Sequence, residues 1–224
     1  MKKNNLKQIT NPVRIGLVSF SLLFCCLFFF AGSRTQAHEA SLEPYVSQAR
    51  EELEKFLTDM VGLIKETKGA MSLEEREKLL YDRAMNHFDF KTFSQLALGR
   101  KYRSFSEPQQ DEFVYYFSRL ISKTYVSRLQ GQDVEKISIQ YDETTPLQPK
   151  KGILRVDAYT QLIQSEVSIP IVYRMIKRDQ ADWKIYDVQI EGVSMAANYR
   201  DQFREAISDS PEQIINDLKE KVKE

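Results

Sequence analysis

The chain contains very little cysteine and histidine, and this scarcity excludes several kinds of site. Of its 224 residues, two are cysteines and two are histidines. Cys25 and Cys26 lie together near the N-terminus, whereas His38 and His87 are far apart. A disulfide framework needs more cysteines than these two. Thiolate zinc sites, iron–sulfur clusters and histidine-rich metal sites need more cysteine or histidine ligands than the chain has. We therefore expect neither a metal nor a cofactor.

The charges cancel over the whole chain but are unevenly distributed. There are 32 basic and 32 acidic residues, and residues 1–37 contain five of the basic ones and no acid. The remaining 187 residues are therefore mildly acidic, with 27 basic and 32 acidic side chains. Because a nucleic-acid binder needs a basic surface, this balance argues against nucleic acid as a partner. Their number suits one domain, residues 38–224.

Residues 1–37 have the order of a secretory signal peptide. A polar, basic stretch precedes an 18-residue apolar run, residues 15–32, and small residues follow at Thr35 and Ala37. We predict cleavage after Ala37 and export to the bacterial periplasm, where a chain without cysteine folds without disulfides. A retained membrane anchor is the alternative, since 18 residues are at the lower limit of spanning length.

The first part of the mature chain, about 43–131, has the period of α-helices. An apolar stripe marks residues 45–66, and Ser72 begins a capping-box sequence for the next helix. Asp89 can cap a short helix over 90–98, and a long helix follows at about 108–129, ended by Gly131.

The second part alternates in the manner of β-strands, and the helical period returns after it. Pro146 and Pro149 are predicted to mark the first loop between strands. The order of elements predicts an α+β domain: helices, a curved antiparallel four-stranded sheet at about 133–191, and C-terminal helices at about 194–223. The predicted strands are 134–141, 153–163, 167–176 and 183–190.

The sequence offers little for catalysis. Gly192-Val193-Ser194 resembles a nucleophile elbow, but no histidine follows it to act as a base, so we expect Ser194 to cap a helix. His87 is expected at a helix end, where its charge meets the helix dipole. Asp187 interrupts a strand and could either pair with a basic residue or act in a site. We predict that the protein is not an enzyme.

Apolar side chains are the remaining candidates for a binding site. Alternate residues share a face of a strand, so one sheet face is apolar, and a helix with large flat side chains can lie against it. By periodicity alone, a filled core is favoured over a ligand cavity. The residues that would line a cavity are Phe113, Phe117, Tyr125, Leu154, Val156, Ala158, Val167, Ile169, Ile171, Tyr173, Met175, Val188 and Ile190.

Several motifs resemble one family closely. It is the toluene-tolerance family, the MlaC-type periplasmic phospholipid-binding proteins of the lipid-asymmetry pathway, and the resemblance extends over about residues 43–220. The most specific stretch is Trp183-Lys184-Ile185-Tyr186-Asp187-Val188 with Ile190-Glu191-Gly192-Val193-Ser194. The others are Asn198-Tyr199-Arg200 with Gln202-Phe203, Phe88-Asp89-Phe90, Ala97-Leu98-Gly99-Arg100, Tyr102-Arg103 and Ile169-Pro170-Ile171-Val172-Tyr173-Arg174.

The resemblance implies a phospholipid carrier. Its fold would be a cone-like sheet packed by helices, akin to nuclear transport factor 2 with an added helical part. A deep apolar pocket would hold phospholipid tails, with phospholipid as cargo and no other cofactor. The implied partners are an outer-membrane lipoprotein complex and an inner-membrane ABC transporter with a mammalian-cell-entry domain subunit. We expect a monomer.

The remaining predictions concern partners and alternatives. Arg100, Tyr102 and Arg103 follow Gly99 as a basic, aromatic cluster, which could contact partners or headgroups or be a solvated loop. An enzyme of the same cone-like fold with Asp187 as its base is one alternative function. A structural adaptor of an envelope transporter is another.

Overall fold

A computed structural model describes residues 43–128, 136–179, 181–205 and 210–223. The predicted leader, residues 1–37, lies outside this part of the chain, as do the predicted helix end at Gly131 and strand start at Val134. The described part contains six α-helices, one 3₁₀ helix and one sheet of five strands. None of its helices is both long enough and apolar enough to cross a membrane.

The first half is helical, as predicted. Ser72 and Glu75 form the predicted capping box: Ser72 Oγ accepts from the backbone N–H of Glu75, and the Glu75 carboxylate accepts from that of Ser72. Asp89 caps the next helix by accepting the backbone N–H of Thr92 at 2.9 Å. The elements are α1 (Glu43–Thr67), α2 (Leu73–Met85), α3 (Phe90–Leu98), a 3₁₀ helix (Gly99–Ser104) and α4 (Glu107–Arg128).

The sheet is an antiparallel meander with one strand more than predicted. Glu191 and Gly192 both have positive φ, 51° and 79°, and form a two-residue turn into the fifth strand. That strand is only two residues long, which is too short to show any alternation. The strands lie in sequence order: β1 (Ile137–Lys150), β2 (Ile153–Gln164), β3 (Val167–Arg178), β4 (Lys184–Ile190) and β5 (Val193–Ser194).

The first strand extends through Pro146 and Pro149, which were predicted to lie in a loop. β1 is at the edge of the sheet and pairs only with β2. An edge strand tolerates proline because the missing N–H need not serve a second neighbour. The pairing of β1 with β2 also shifts register twice, once after Tyr141 and once after Leu147. The α+β class is confirmed, with five strands instead of four.

Two C-terminal helices complete the domain, α5 (Met195–Glu205) on α3 and α6 (Pro211–Lys223) on α4. Five aromatic rings fill the space between α3, α4 and α5, and each is at most 4% exposed. Their centroids are close, 5.1 Å for Phe113–Phe117 and 4.9 Å for Phe117–Tyr199, which favours tilted and edge-to-face contacts. This aromatic cluster consists of Phe93, Phe113, Phe117, Tyr199 and Phe203.

The segment between α2 and α3 fastens the helices to the sheet. Its backbone runs beside β4: Ile185 donates its N–H to His87 O, and Asp89 donates its own to Ile185 O, both at 2.8 Å. Arg178 at the end of β3 pairs with Asp89 at 2.5 Å. Burial raises the pKa of the Asp89 carboxyl, but hydrogen bonds from Thr92 and Arg178 lower it more, so the net pKa is below its usual value.

Candidate functional site

A cavity of about 290 Å³ lies between the helices and one face of the sheet. Its walls come from α1, α2, the segment before α3, the start of α3, α4, β3, β4 and the start of α5. This volume is about twice that of the ~150 Å³ apolar cavity known to hold benzene. The lining residues are Phe56, Leu57, Met60, Ile64, Leu80, Tyr81, Ala84, Phe88, Phe90, Ile121, Ser122, Tyr125, Val126, Ile171, Tyr173, Val188, Ile190 and Met195.

The helical walls follow from the helical period. On α1, Phe56, Met60 and Ile64 are spaced by four residues and therefore form one stripe toward the cavity. On α4, Ile121 and Tyr125 have the same spacing near the C-terminal end. The cavity therefore has three helical walls, from α1, α2 and α4, facing the sheet.

The sheet wall follows from strand pairing. Ile171 of β3 lies opposite Ile190 of β4, and Tyr173 lies opposite Val188. Side chains of paired residues point to the same face of a sheet. These four side chains therefore form a continuous patch, which closes the cavity on the sheet side.

The lining carries no charged side chain and few polar groups. The Tyr81 hydroxyl is 3.0 Å from Ser118 Oγ, so its hydrogen bond lies outside the cavity. Burial raises the pKa of the Tyr173 hydroxyl, so this group stays protonated at neutral pH. Within the described residues there is no group of three or more His, Cys, Asp or Glu side chains that could hold a metal. The cavity suits an apolar ligand.

Five of the thirteen predicted pocket residues line the cavity: Tyr125, Ile171, Tyr173, Val188 and Ile190. Phe113 and Phe117 do not, because they belong to the aromatic cluster in the other half of α4. These two rings are therefore not part of the cavity lining, and their contact with lipid stays a prediction. For the five residues in the wall, contact with lipid stays a prediction.

The other predicted residues of the sheet lie outside the cavity wall. Val167 is 59% exposed at the start of β3. Ile169 lies next to it on the same face and is only partly buried. Val156, Ala158 and Met175 are buried in the filled part of the core. Leu154, near the start of β2, packs against the same core.

The sequence reasoning missed the walls supplied by α1 and α2. The sequence indicates a helix with an apolar stripe here but does not indicate that the stripe is a cavity wall. The stripe includes Phe56, Leu57, Met60 and Ile64. Its spacing is the same for a filled core and for a hollow one. Only the elements opposite the stripe decide between the two, and these are distant in sequence.

Ser194 and Asp187 form a hydrogen-bonded cap at the start of α5. Ser194 Oγ accepts the N–H of Ala197 at 3.0 Å and donates to Asp187 at 2.6 Å. The Asp187 carboxylate also accepts the N–H groups of Val188 and Ala196, and it lies 3.7 Å from Arg174. The prediction that Ser194 caps a helix is confirmed. Asp187 is outside the cavity lining.

His87 lies just beyond the end of α2 and stacks on Phe56, with ring centroids 4.4 Å apart. Burial lowers the pKa of its imidazole, and the positive charge of Lys184 adds to this effect. The neutral ring is therefore favoured, whereas a charge interacting with the helix dipole was expected. The aromatic contact explains the difference, because it removes the ring from water.

The predicted basic cluster is at the far end of α4 from the cavity. Gln110 Nε2 near the start of α4 donates to Phe105 O, just after the 3₁₀ helix. Ile121, the first cavity residue of α4, lies eleven residues further on, roughly 16 Å along a helix. Arg100 and Arg103 are therefore not part of the cavity lining, and their contact with partners or headgroups stays a prediction.

Tyr102 differs from its neighbours in the 3₁₀ helix. Residues three apart share a face of such a helix, so Arg100 and Arg103 share the outward face and are exposed. Tyr102 faces inward and is 8% exposed. Most of its side chain therefore packs inside the domain, and its contact with a partner or headgroup stays a prediction.

Comparisons with known proteins indicate a family and a shared fold. The family model described as MlaC protein matches residues 54–220. No curated protein matches the chain. Among solved structures, the chain is similar to a phospholipid-binding protein from Ralstonia solanacearum in complex with a phospholipid. The identity is 21%, the TM-score is 0.67, and the match covers 78% of this chain and 97% of that one. At this identity, the likeness shows a shared fold.

Proposed function

The chain belongs to the MlaC family, and from this premise we propose that it is a phospholipid carrier that holds acyl chains in its cavity. The observation that carries the proposal is the apolar, uncharged cavity between α1, α2, α4 and the sheet. The Ralstonia solanacearum protein, which has a similar fold, holds a phospholipid in its structure. We extend that ligand class to this chain.

The physics of lipid transfer explains why such a cavity is needed. Burial of each methylene stabilises by roughly 0.8 kcal/mol relative to water. A phospholipid free in water is therefore very unfavourable, and a carrier must surround its chains with apolar side chains. Phe56, Leu57, Ile121, Ile171 and Val188 supply such surroundings from both sides of the cavity.

This function requires no catalytic group. The carboxylate that an enzyme of this fold could use, Asp187, accepts hydrogen bonds at the start of α5 and lies outside the lining. We therefore propose that the protein is not an enzyme. A purely structural adaptor would need no cavity, and a tightly packed core would favour that alternative.

We place the carrier in the periplasm, where it would move lipid between two membrane complexes. These are an outer-membrane lipoprotein complex and an inner-membrane ABC transporter with a mammalian-cell-entry domain subunit. Arg100 and Arg103 are exposed and remote from the cavity, so their proposed role is contact with such a partner. The protein would act as a monomer.

The test is mass spectrometry of an organic extract from the purified protein. We expect phospholipid in stoichiometric amounts, well above that in a periplasmic protein without a cavity purified in the same way. Phospholipid at the level of that control would contradict the proposal.

The proposed compartment has a separate test. Intact-mass measurement of protein from the envelope fraction should give a chain that begins at His38. A mass that includes residues 1–37 would make the protein an anchored one.

A further inference from the structure

Two tyrosines lie on the inner face of the sheet, on either side of β2. Tyr141 of β1 is directly opposite Thr160 of β2, and Tyr173 of β3 is directly opposite Ala158. Because paired residues, and residues two apart on a strand, point to the same face, all four side chains share the face that the helices cover. Both tyrosines pack against the core.

The side chains between the tyrosines are small and covered. Ala158 is 1% exposed and Thr160 is 2% exposed, yet neither lines the cavity, whereas Tyr173 does. Aromatic side chains are long enough to reach diagonal neighbours across a strand. Tyr173 therefore lines the cavity from β3, and Tyr141 lies beyond Ala158 and Thr160 on β1, outside the lining.

Tyr141 also connects β1 to α1. Its hydroxyl lies 3.5 Å from Glu54 O and hydrogen-bonds to the side chain of Thr58, both on α1. Burial raises the pKa of Tyr141 and of Tyr173, and in Tyr173 the nearby Tyr141 adds to the effect. Tyr141 therefore connects β1 to α1 on the β1 side of Tyr173.

We propose that the Tyr141–Tyr173 pair ends the cavity on its β1 side and thereby limits the length of acyl chain that the protein accepts. The inference rests on the proposed function, since it concerns the cargo of the same cavity. Without the ring of Tyr141, the space over Thr160 joins the cavity beneath α1. A longer chain can then bury more of its methylenes.

The experiment is a competition between lipids that differ only in their chains. The full chain is produced in cells, purified and delipidated. It is then loaded from vesicles that contain equal amounts of dimyristoyl- and dioleoyl-phosphatidylglycerol. Mass spectrometry gives the ratio of the two lipids in the protein fraction.

We expect Tyr141→Ala to raise the ratio of dioleoyl to dimyristoyl lipid about fourfold over wild type. That factor corresponds to burial of about one further methylene, at about 0.8 kcal/mol. Tyr141→Phe keeps the ring and should keep the wild-type ratio. Tyr159→Ala removes a ring from the outer face of β2 and serves as the matched control, again with the wild-type ratio expected.

The outcomes separate this inference from the proposed function. A wild type that loads lipid, together with an unchanged ratio in Tyr141→Ala, overturns the inference alone. A wild type that loads neither lipid overturns the proposed function. If Tyr141→Ala does not fold, Tyr141→Leu takes its place, because it keeps an apolar side chain without the ring, and an unchanged ratio in it likewise overturns the inference.

Discussion

Helix α4 is packed in its first half and borders a cavity in its second half. Phe113 and Phe117 belong to the aromatic cluster and are completely buried among other rings. Ile121 and Tyr125, further along the same stripe, line the cavity. One apolar stripe of one helix therefore serves two purposes.

The difference lies in what stands opposite each half. Phe93, Tyr199 and Phe203 from α3 and α5 face the first half, and each aromatic ring buries a large area, about 150–250 Å². The second half instead borders the cavity, whose other walls come from α1, α2 and the sheet and include rings, such as Phe56 and Tyr173, as well as shorter side chains, such as Ile171 and Val188. The space between these walls and α4 is the cavity.

The largest expected effect is on the packed half. Phe117→Ala should lower the free energy of unfolding by about 3–5 kcal/mol, because it leaves a void among close-packed rings. Urea denaturation measures the change. Tyr115→Ala, two residues away and 49% exposed, is the control and should cost less than about 1 kcal/mol. Equal costs for the two variants would mean that the aromatic cluster is not tightly packed.

A larger side chain in the cavity wall tests the region beside the second half of α4. Ile171→Trp should fill cavity volume, so it should reduce bound phospholipid and leave the melting curve of the lipid-free protein almost unchanged. Val156→Trp, on the same face but in the filled core, should instead cost about 1–3 kcal/mol through overpacking. If Ile171→Trp is severely destabilised and keeps its lipid, Ile171 belongs to a filled core.

A smaller effect is expected at the cap that starts α5. Ser194→Ala removes the acceptor for the Ala197 N–H and should cost about 1 kcal/mol. The lipid content should not change, because Ser194 is outside the cavity lining. Ser168→Ala, at an exposed serine of β3, should be close to neutral. Loss of lipid in Ser194→Ala at unchanged stability would point to a direct role of the cap in binding.

The cap at the start of α3 should also make stability respond to acid, through Asp89. Its pKa is lower in the folded state than its ordinary value of 3.8, so the unfolded chain takes up the proton first. This contribution to stability is fully present above pH 3.8 and is lost as the pH falls through the folded pKa. Asp89→Asn should make the free energy of unfolding depend less on pH below about pH 3.8. An unchanged acid limb would show that the hydrogen bonds from Thr92 and Arg178 do not lower the pKa of Asp89.

Charge reversal on the 3₁₀ helix should affect neither the packing of the aromatic cluster nor the cavity beside α4. We expect Arg100→Glu with Arg103→Glu to leave melting temperature and lipid content unchanged and to slow lipid transfer to membrane complexes. Lys150→Glu with Lys151→Glu, at the exposed turn between β1 and β2, is the matched control. Unchanged transfer to both complexes would show that the two arginines are only a solvated surface.

The sequence predicted the elements better than it predicted the space between them. The caps at Ser72, Asp89 and Ser194 were predictable because a cap depends on a few adjacent residues. The strand β5 was not, because two residues cannot show a period. Pro146 indicated a loop, because proline is rare in a sheet except in an edge strand. That β1 is an edge strand is a property of the whole sheet, which the local sequence does not show.

The sheet side of the cavity wall could be predicted from local patterns, and most of its helical side could not. Alternation placed Ile171, Tyr173, Val188 and Ile190 on one face, and all four line the cavity. The contribution of Phe56 and Met60 depends on how α1 crosses the sheet, which no local pattern specifies. Phe113 was misplaced because its partners come from α3 and α5, one before it in the chain and one after it.

The central claim is that acyl chains occupy the space beside the second half of α4, and site-specific photocrosslinking tests it most directly. A photoreactive phenylalanine analogue replaces Tyr125 in one variant and the exposed Tyr115 in another, and both proteins are irradiated after purification from cells. The account predicts a phospholipid adduct, seen by intact-mass spectrometry, at position 125 and none at position 115. An adduct at 115 alone, or equal labelling at both positions, would contradict it.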